Sequence, residues 1–423
     1  MTTTHFGEPR SAPTRHPLHH AGYRHLLAAT AVSKLGSSIS ALAIPLVAIV
    51  ALRSSAGEVG LLAMLGTLAF LLVGLPCGAW VDRMRRRPVM IAADLFRAAL
   101  LLSVPVTWAF GALTIGQLYA VVLLAGTATV FYDVAAQSHL PELAGRDGLT
   151  RANSLLVTID AVAQIGGRSA AGFLIALLSA PAAILLDAVS YLGSALCLAR
   201  IRRPEPAPGA AERGRLLADV REGVRFVFGH PLLRAVAAAG ACTNVSIQVC
   251  QTVLPLVLVR ELALPGFAVG LFLATGGVGI LLGSLAARPL CGRLGPGRVL
   301  GFLGLAIAPA GVTIALVDRG PALWVAAVGW LLTTFKVGVD NVLKVSLRQS
   351  LTPDRLLGRM NATLRMVLTG SLAVGAALAG VLGELVSTRA ALWAGAVGLA
   401  LAWLPIMCSP VRRLREMPAP LPQ

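Results

Sequence analysis

Gly78-Ala79-Trp80-Val81-Asp82-Arg83-Met84-Arg85-Arg86-Arg87 puts one acid and four arginines into a short turn that ends one apolar run and starts another. No other short segment is so charged in a chain where 13% of residues are charged. Lipid offers no water to solvate charges or unpaired backbone groups, so an apolar run cannot carry this cluster through a bilayer. The turn therefore sits in water between two membrane spans. The rest of the chain is read outward from that placement.

Apolar residues make up 56% of the 423, and the mean hydropathy is +0.78. A soluble chain carries roughly 25% charged residues, about twice the share seen here. The class is a polytopic membrane protein. A net charge of +17 would suit a nucleic-acid binder if the cations shared one polar surface. They fall instead in short turns between apolar runs, which excludes nucleic acid as the partner. The six cysteines (Cys77, Cys197, Cys242, Cys250, Cys291 and Cys408) form no C-x-x-C pair and read as small apolar side chains. The first 22 residues are polar and lack the short apolar core of a signal peptide. His16, His19 and His20 in that tail read as solvated, not as metal ligands. There is no G-x-x-x-x-G-K-[ST] loop. Neither a cofactor, a metal nor an enzyme activity is expected.

A span needs about 20 apolar residues. Twelve runs qualify: about 24–51, 59–81, 88–110, 113–137, 150–178, 181–200, 232–259, 266–290, 297–317, 321–345, 357–385 and 389–409. Only Arg53, Arg260, Arg319 and Arg389 fall in odd-numbered connections, and Lys34, Arg97, Arg168 and Lys336 lie within spans. Most of the remaining Lys and Arg occupy the tails, the even-numbered connections or the span ends that border them. Cations collect on the cytoplasmic side, so both termini are placed there.

The expected architecture is all-α, with twelve transmembrane helices in two pseudo-symmetric six-helix halves. The tail covers 1–23 and the first half 24–200. A cytoplasmic linker covers 201–231, the second half 232–409, and a C-terminal tail 410–423. Within the linker, Leu216, Leu217, Val220, Val224 and Val227 recur at helical spacing among Arg213, Arg215, Arg221 and Arg225, which predicts a basic amphipathic helix at the inner membrane surface. Gly78 through Arg83 after span 2 has a faint echo in Gly283 through Arg288 after span 8. Two related halves with a site between them is a transporter plan.

Several patches, in order, resemble the major facilitator superfamily, and more narrowly its bacterial drug and siderophore (enterobactin-type) exporter branch. They are Gly78 through Arg87; Phe131 through Gln137 leading to Leu140-Pro141-Glu142-Leu143; Arg151-Ala152-Asn153-Ser154; Leu186 through Tyr191; Arg221 through Phe226; His230 through Arg234; and Ser346-Leu347-Arg348-Gln349 with Thr352-Pro353 and Gly358-Arg359. The resemblance covers essentially all of 24–409. One departure stands out. Exporters of this kind usually carry Gly-Pro-x-x-x-Gly in span 5, and here Arg168 replaces the proline between Gly167 and Gly172. The resemblance implies that the Gly78–Arg87 turn gates the inner face. Asp82 would accept from the start of span 11 or from an arginine such as Arg359, with Arg83, Arg86 and Arg87 beside it. Setting topology is the plainer role for the arginines. Gly78 with Gly74 is expected to allow close helix contact.

A charge at mid-bilayer costs roughly 2.5–3.5 kcal/mol, so the intramembrane bases need partners or water. Arg97 has Asp94 at i−3 and Lys336 has Asp340 at i+4, which suits structural or gating pairs. Lys34 and Arg168 have no helical neighbour. Asp160 lies about 12 Å along the axis from Arg168, so Arg168 is matched to Asp187 on the next span. Asp160, Asp133 and Asp187 are the candidates for proton coupling, with Asp160 first because it has no local partner. Lys34, Ser37, Arg168, Asn244, Gln248, Gln251 and Asn341 are candidates for the substrate cavity. Asn244, Gln248 and Gln251 form one polar stripe, which also suits hydrogen bonding between helices.

The resemblance implies a monomeric carrier in the bacterial cytoplasmic membrane that exports a small amphipathic molecule in exchange for protons. Its partners would be substrate, protons and lipid. An uptake carrier or uniporter of the same fold, or a membrane sensor that holds a partner through the basic helix, are the alternatives.

Overall fold

The computed structural model describes residues 21–81, 83–144, 177–201, 216–416 and 418, together with 152, 155, 156, 158–160, 162, 163, 167, 171 and 173–175. Within these residues the chain is helical and has no strand. The helices are α1 (Ala21–Leu46), α2 (Ala56–Val81), α3 (Arg86–Ala109), α4 (Ile115–Ala144), α5 (Ala180–Ala199), α6 (Leu216–Gly229), α7 (Pro231–Leu256), α8 (Gly266–Leu294), α9 (Pro296–Thr313), α10 (Pro321–Ser350), α11 (Asp354–Leu385) and α12 (Thr388–Leu401). Eleven spans among the described residues are long and apolar enough to cross a membrane. The expected span over 150–178 falls mostly outside the described residues.

The two halves repeat one packing scheme. In the first, α1 packs on α5, α2 on α4, and α3 on both α4 and α5. In the second, α7 packs on α12, α8 on α10, and α9 on both α10 and α12. Lipid gives no hydrophobic drive between helices, so small residues that permit close approach carry these contacts. Along α8, Gly276, Gly279 and Gly283 lie against Trp330, Thr334 and Phe335 of α10 so closely that a Cβ at any of them would overlap.

The halves share a second mark. After Pro45 and after Pro255 the helix widens into a π turn, at Val47–Ala51 and Val257–Glu261. A proline supplies no amide hydrogen, and the register slips one residue beyond it. Each π turn then leads to a residue in the left-handed region, Arg53 (φ 52°) and Ala263 (φ 48°). Matching hydrogen bonds close both turns, Leu52 N–H to Val47 O at 3.1 Å and Leu262 N–H to Val257 O at 3.0 Å. The underlying repeat is Pro45-Leu46-Val47 through Leu52 against Pro255-Leu256-Val257 through Leu262.

The halves meet along α2 and α11. Gly60 approaches the backbone of Gly380 so closely that neither tolerates bulk, and the Gly57 amide donates to the Glu384 carboxylate at 3.0 Å. Among the described residues, a Cβ on Gly78 would meet nothing within 4 Å, and one on Gly74 would meet only Phe70 of its own helix. The close approach on α2 lies at the opposite end of the helix.

Helix α6 lies against α11. Gly223 fits over the Arg359 backbone and Thr363, and Glu222 pairs with Arg359. Arg221 and Arg225 are exposed. All six cysteines are free thiols.

Candidate transport cavity

Helical spacing puts Leu26, Thr30 and Lys34 on one face of α1. Tyr132, Asp133, Ala136, Gln137 and Leu140 do the same on α4. With Leu156 and Asp160 of the fifth span they enclose a cavity of about 510 Å³. It lies in the half of the bundle nearer the Gly78–Arg87 turn, called the basic end here. Lys34 Nζ is 3.5 Å from Asp160 Oδ1, and the two side chains are 36% and 42% exposed. The sequence left both without a local partner. They sit on different spans, so the i, i+4 rule cannot see the pair. Asp133 lines the same cavity.

Behind this cavity lies a buried charged cluster. Arg97 pairs with Asp94 as the i−3 spacing suggests. Its guanidinium is also held between the rings of Tyr132 and Tyr191, at 4.6 and 4.2 Å from their centroids. Cation–π contacts strengthen to about 2 kcal/mol when desolvated, which offsets part of the cost of burying this charge. Ser37 shares a hydrogen bond of 2.8 Å with the Tyr191 hydroxyl, so it braces this cluster. Asp187 is buried and accepts from the Ser190 hydroxyl at 3.1 Å. Arg168, its expected partner, lies outside the described residues.

The second half has an equivalent cavity of about 240 Å³ between α7, α10 and α11. Asn244 and Asn341 line it with Asp340, Lys344 and Arg348. Asp340 pairs with Lys336, as spacing predicts, and with Lys344 at 2.9 Å. The polar stripe on α7 divides its work. Asn244 borders the cavity and also donates to Leu368 O on α11 at 2.9 Å. Gln248 donates within α7 to Thr252 at 3.3 Å and packs beside Gly375 of α11. Gln251 is half-buried on the same helix.

Of the expected gate, Asp82 lies outside the described residues. Arg83 is exposed, and Arg86 opens α3. Arg87 ties the start of α3 to the end of α5, donating from Nε to Leu198 O at 2.9 Å and from Nη2 to Ala199 O at 2.5 Å. Arg359 meets Glu222 on α6.

The opposite end, which carries the π turns, is bridged. Arg260 Nη2 of the second half donates to Ile49 O at 3.2 Å and Ser54 O at 2.5 Å in the first half. Arg319 Nε donates to Leu262 O at 3.2 Å, and Arg389 pairs with Glu261 at 2.6 Å. Three of the four arginines that broke the charge rule are therefore held by backbone oxygens or an acid at this end. Among the described residues no group of three His, Cys, Asp or Glu is placed to hold a metal ion.

Packing of the described spans in two repeated halves, with cavities in one end and a bridge across the other, agrees with the family match. A model of transmembrane secretion effectors (MFS_3) matches residues 12–420. The chain belongs to this family. It is therefore a multi-pass membrane transporter of the major facilitator type. It is 32% identical over 222 residues to the multidrug efflux pump Tap of Mycolicibacterium fortuitum, covering 50% of this chain and 53% of that protein. The match thus spans about half the length of Tap. It is 24% identical over 403 residues to the enterobactin exporter EntS of Salmonella choleraesuis, covering 94% and 95%. Among solved structures, a bacterial homologue of the iron transporter ferroportin in its inward-facing state superposes with a TM-score of 0.75 at 18% identity, over 92% of this chain and 98% of that one. The outward-facing state of that homologue gives 0.62, over 92% and 98%. These structural likenesses show the fold alone.

Proposed function

We propose that this transporter exports a small amphipathic molecule across the bacterial cytoplasmic membrane by alternating access, in exchange for protons. The observation that carries the reading is the asymmetry of the bundle. The π-turn end is bridged by Arg260 and by the Gly60–Gly380 contact, while the cavity with Lys34 and Asp160 lies toward the basic end. The excess of cations supports a cytoplasmic basic end, where an exporter loads its cargo. The efflux relatives Tap and EntS support the outward direction.

Asp160 is the proton site in this reading. Its side chain borders the cavity and is 42% exposed, so protons and substrate both reach it, whereas Asp187 is buried. A proton on Asp160 releases Lys34, and restoring the pair resets the carrier. Everted membrane vesicles test this. A panel of fluorescent dyes, including 6-carboxyfluorescein and rhodamine 123, is offered to vesicles with and without the protein. Accumulation of at least one dye that collapses with the proton gradient is expected. Accumulation that outlasts the gradient, or no difference between the vesicles, contradicts the proposal.

A further inference from the structure

The second-half cavity carries more positive charge than its surroundings balance. Asn341, Lys344, Val345 and Arg348 share one face of α10 at i, i+3, i+4 and i+7, and all four line the cavity with Asn244 of α7. The one carboxylate here, Asp340, accepts from Lys336 and Lys344 together. One negative charge therefore meets two ammonium groups before Arg348 is counted. The Arg348 Nε is buried and has no hydrogen-bond partner. A half-buried guanidinium whose Nε has no partner suits an oxyanion, which accepts two parallel N–H bonds. Asn341 on the same face of α10 and Asn244 on α7 add amide groups to the cavity lining.

The first-half cavity has the reverse balance. Lys34 there pairs with Asp160, and Asp133 lines the same cavity. The two cavities occupy equivalent positions, α1 with α4 in one half and α7 with α10 in the other. A molecule bridging them would meet an acidic-leaning wall on one side and a basic wall on the other.

From this we infer that Asn244, Asn341, Lys344 and Arg348 form an oxyanion subsite, and that the cargo carries a carboxylate, sulfonate, phosphate or comparable acidic group bound there. Calling that anion cargo rests on the carrier reading; the subsite itself does not. Arg348 lies near the basic end of α10, so an anionic lipid headgroup offers the same chemistry. The subsite lies in the second-half counterpart of the Lys34–Asp160 cavity, which favours cargo.

Equilibrium binding to the purified full-length protein in phosphatidylcholine nanodiscs separates these possibilities without needing transport. 6-Carboxyfluorescein and rhodamine 123 share a xanthene body, the first anionic and the second cationic, so the comparison contrasts an acidic with a basic ligand on one scaffold, and the glutamine variants assign the difference to the subsite. Wild-type protein is expected to bind 6-carboxyfluorescein about tenfold more tightly than rhodamine 123. Arg348→Gln and Lys344→Gln are expected to remove that preference, and Arg348→Lys to keep part of it. Rhodamine 123 binding serves as the check that each variant is folded. Equal affinities in the wild type, or a preference that survives both glutamine variants, overturns the inference. Loss of 6-carboxyfluorescein binding when phosphatidylglycerol is added to the nanodisc assigns the subsite to lipid and overturns it as well. Binding as expected with no gradient-driven dye uptake in everted vesicles leaves the subsite standing and removes the carrier reading instead.

Discussion

Lys34 on α1 and Asp160 on the fifth span face each other 3.5 Å apart at the wall of the first-half cavity, each more than a third exposed. An ion pair this accessible contributes about 0.2–1 kcal/mol to stability. In the proposed exchange its value is in switching. Asp160→Asn is expected to leave thermal stability nearly unchanged while gradient-driven dye uptake falls by about tenfold, equivalent to ~1.4 kcal/mol. Uptake at the wild-type level in Asp160→Asn removes this residue as the proton site. The exchange Lys34→Asp with Asp160→Lys is expected to recover part of the uptake lost in either single variant.

The bridge from Arg260 to Ile49 O and Ser54 O consists of hydrogen bonds from a charged donor, worth ~1.5–3 kcal/mol each when partly buried. Arg260→Gln is expected to open the π-turn end. Spin labels on Ser55→Cys and Ser387→Cys, which sit in the loops of opposite halves, report that opening as a longer distance population. An unchanged distance distribution contradicts a gating role for Arg260.

Gly60 and Gly380 are unequal. A Cβ on Gly60 would overlap the Gly380 backbone, while one on Gly380 would sit 3.1 Å from the Gly60 Cα. Overpacking costs about 1–3 kcal/mol. Gly60→Ala is expected to shift the same distance distribution further than Gly380→Ala. The reverse order contradicts the packing described for α2 and α11.

Arg97 holds the interior of the first half. Arg97→Gln leaves Asp94 buried without its ion pair, which costs about 3–5 kcal/mol. A marked fall in the detergent melting temperature is expected. Adding Asp94→Asn is expected to recover much of it, and Tyr132→Phe to be mild because the ring under the guanidinium remains. A double variant no more stable than Arg97→Gln alone contradicts the pairing.

Much of the fold was legible because lipid constrains sequence so strongly. Span lengths, the Gly78–Arg87 turn and the one-sided cations follow from local rules, and so do the pairs within a helix, Arg97–Asp94 and Lys336–Asp340. The Lys34–Asp160 pair was not legible, because it joins residues on spans far apart in the chain. Lys344 was hidden for another reason. It was counted with the inner-side cations, though α10 extends to Ser350 and places it on Asp340. Arg365 was treated the same way, yet it stacks 4.3 Å over the Phe70 ring of α2. One signal was available and unused. The repeat of Pro45-Leu46-Val47 in Pro255-Leu256-Val257 marks both π turns, and Arg260 stands where the first half has Val50.

The central claim is that the cavity opens on the cytoplasmic side while the other end is closed. Gln137 lines the cavity and is exposed. The most direct test is labelling of Gln137→Cys, in a chain with its six native cysteines replaced, by a membrane-impermeant maleimide. Labelling in everted vesicles and protection in right-side-out vesicles is the predicted result. Labelling only in right-side-out vesicles would contradict both the orientation and the closed end.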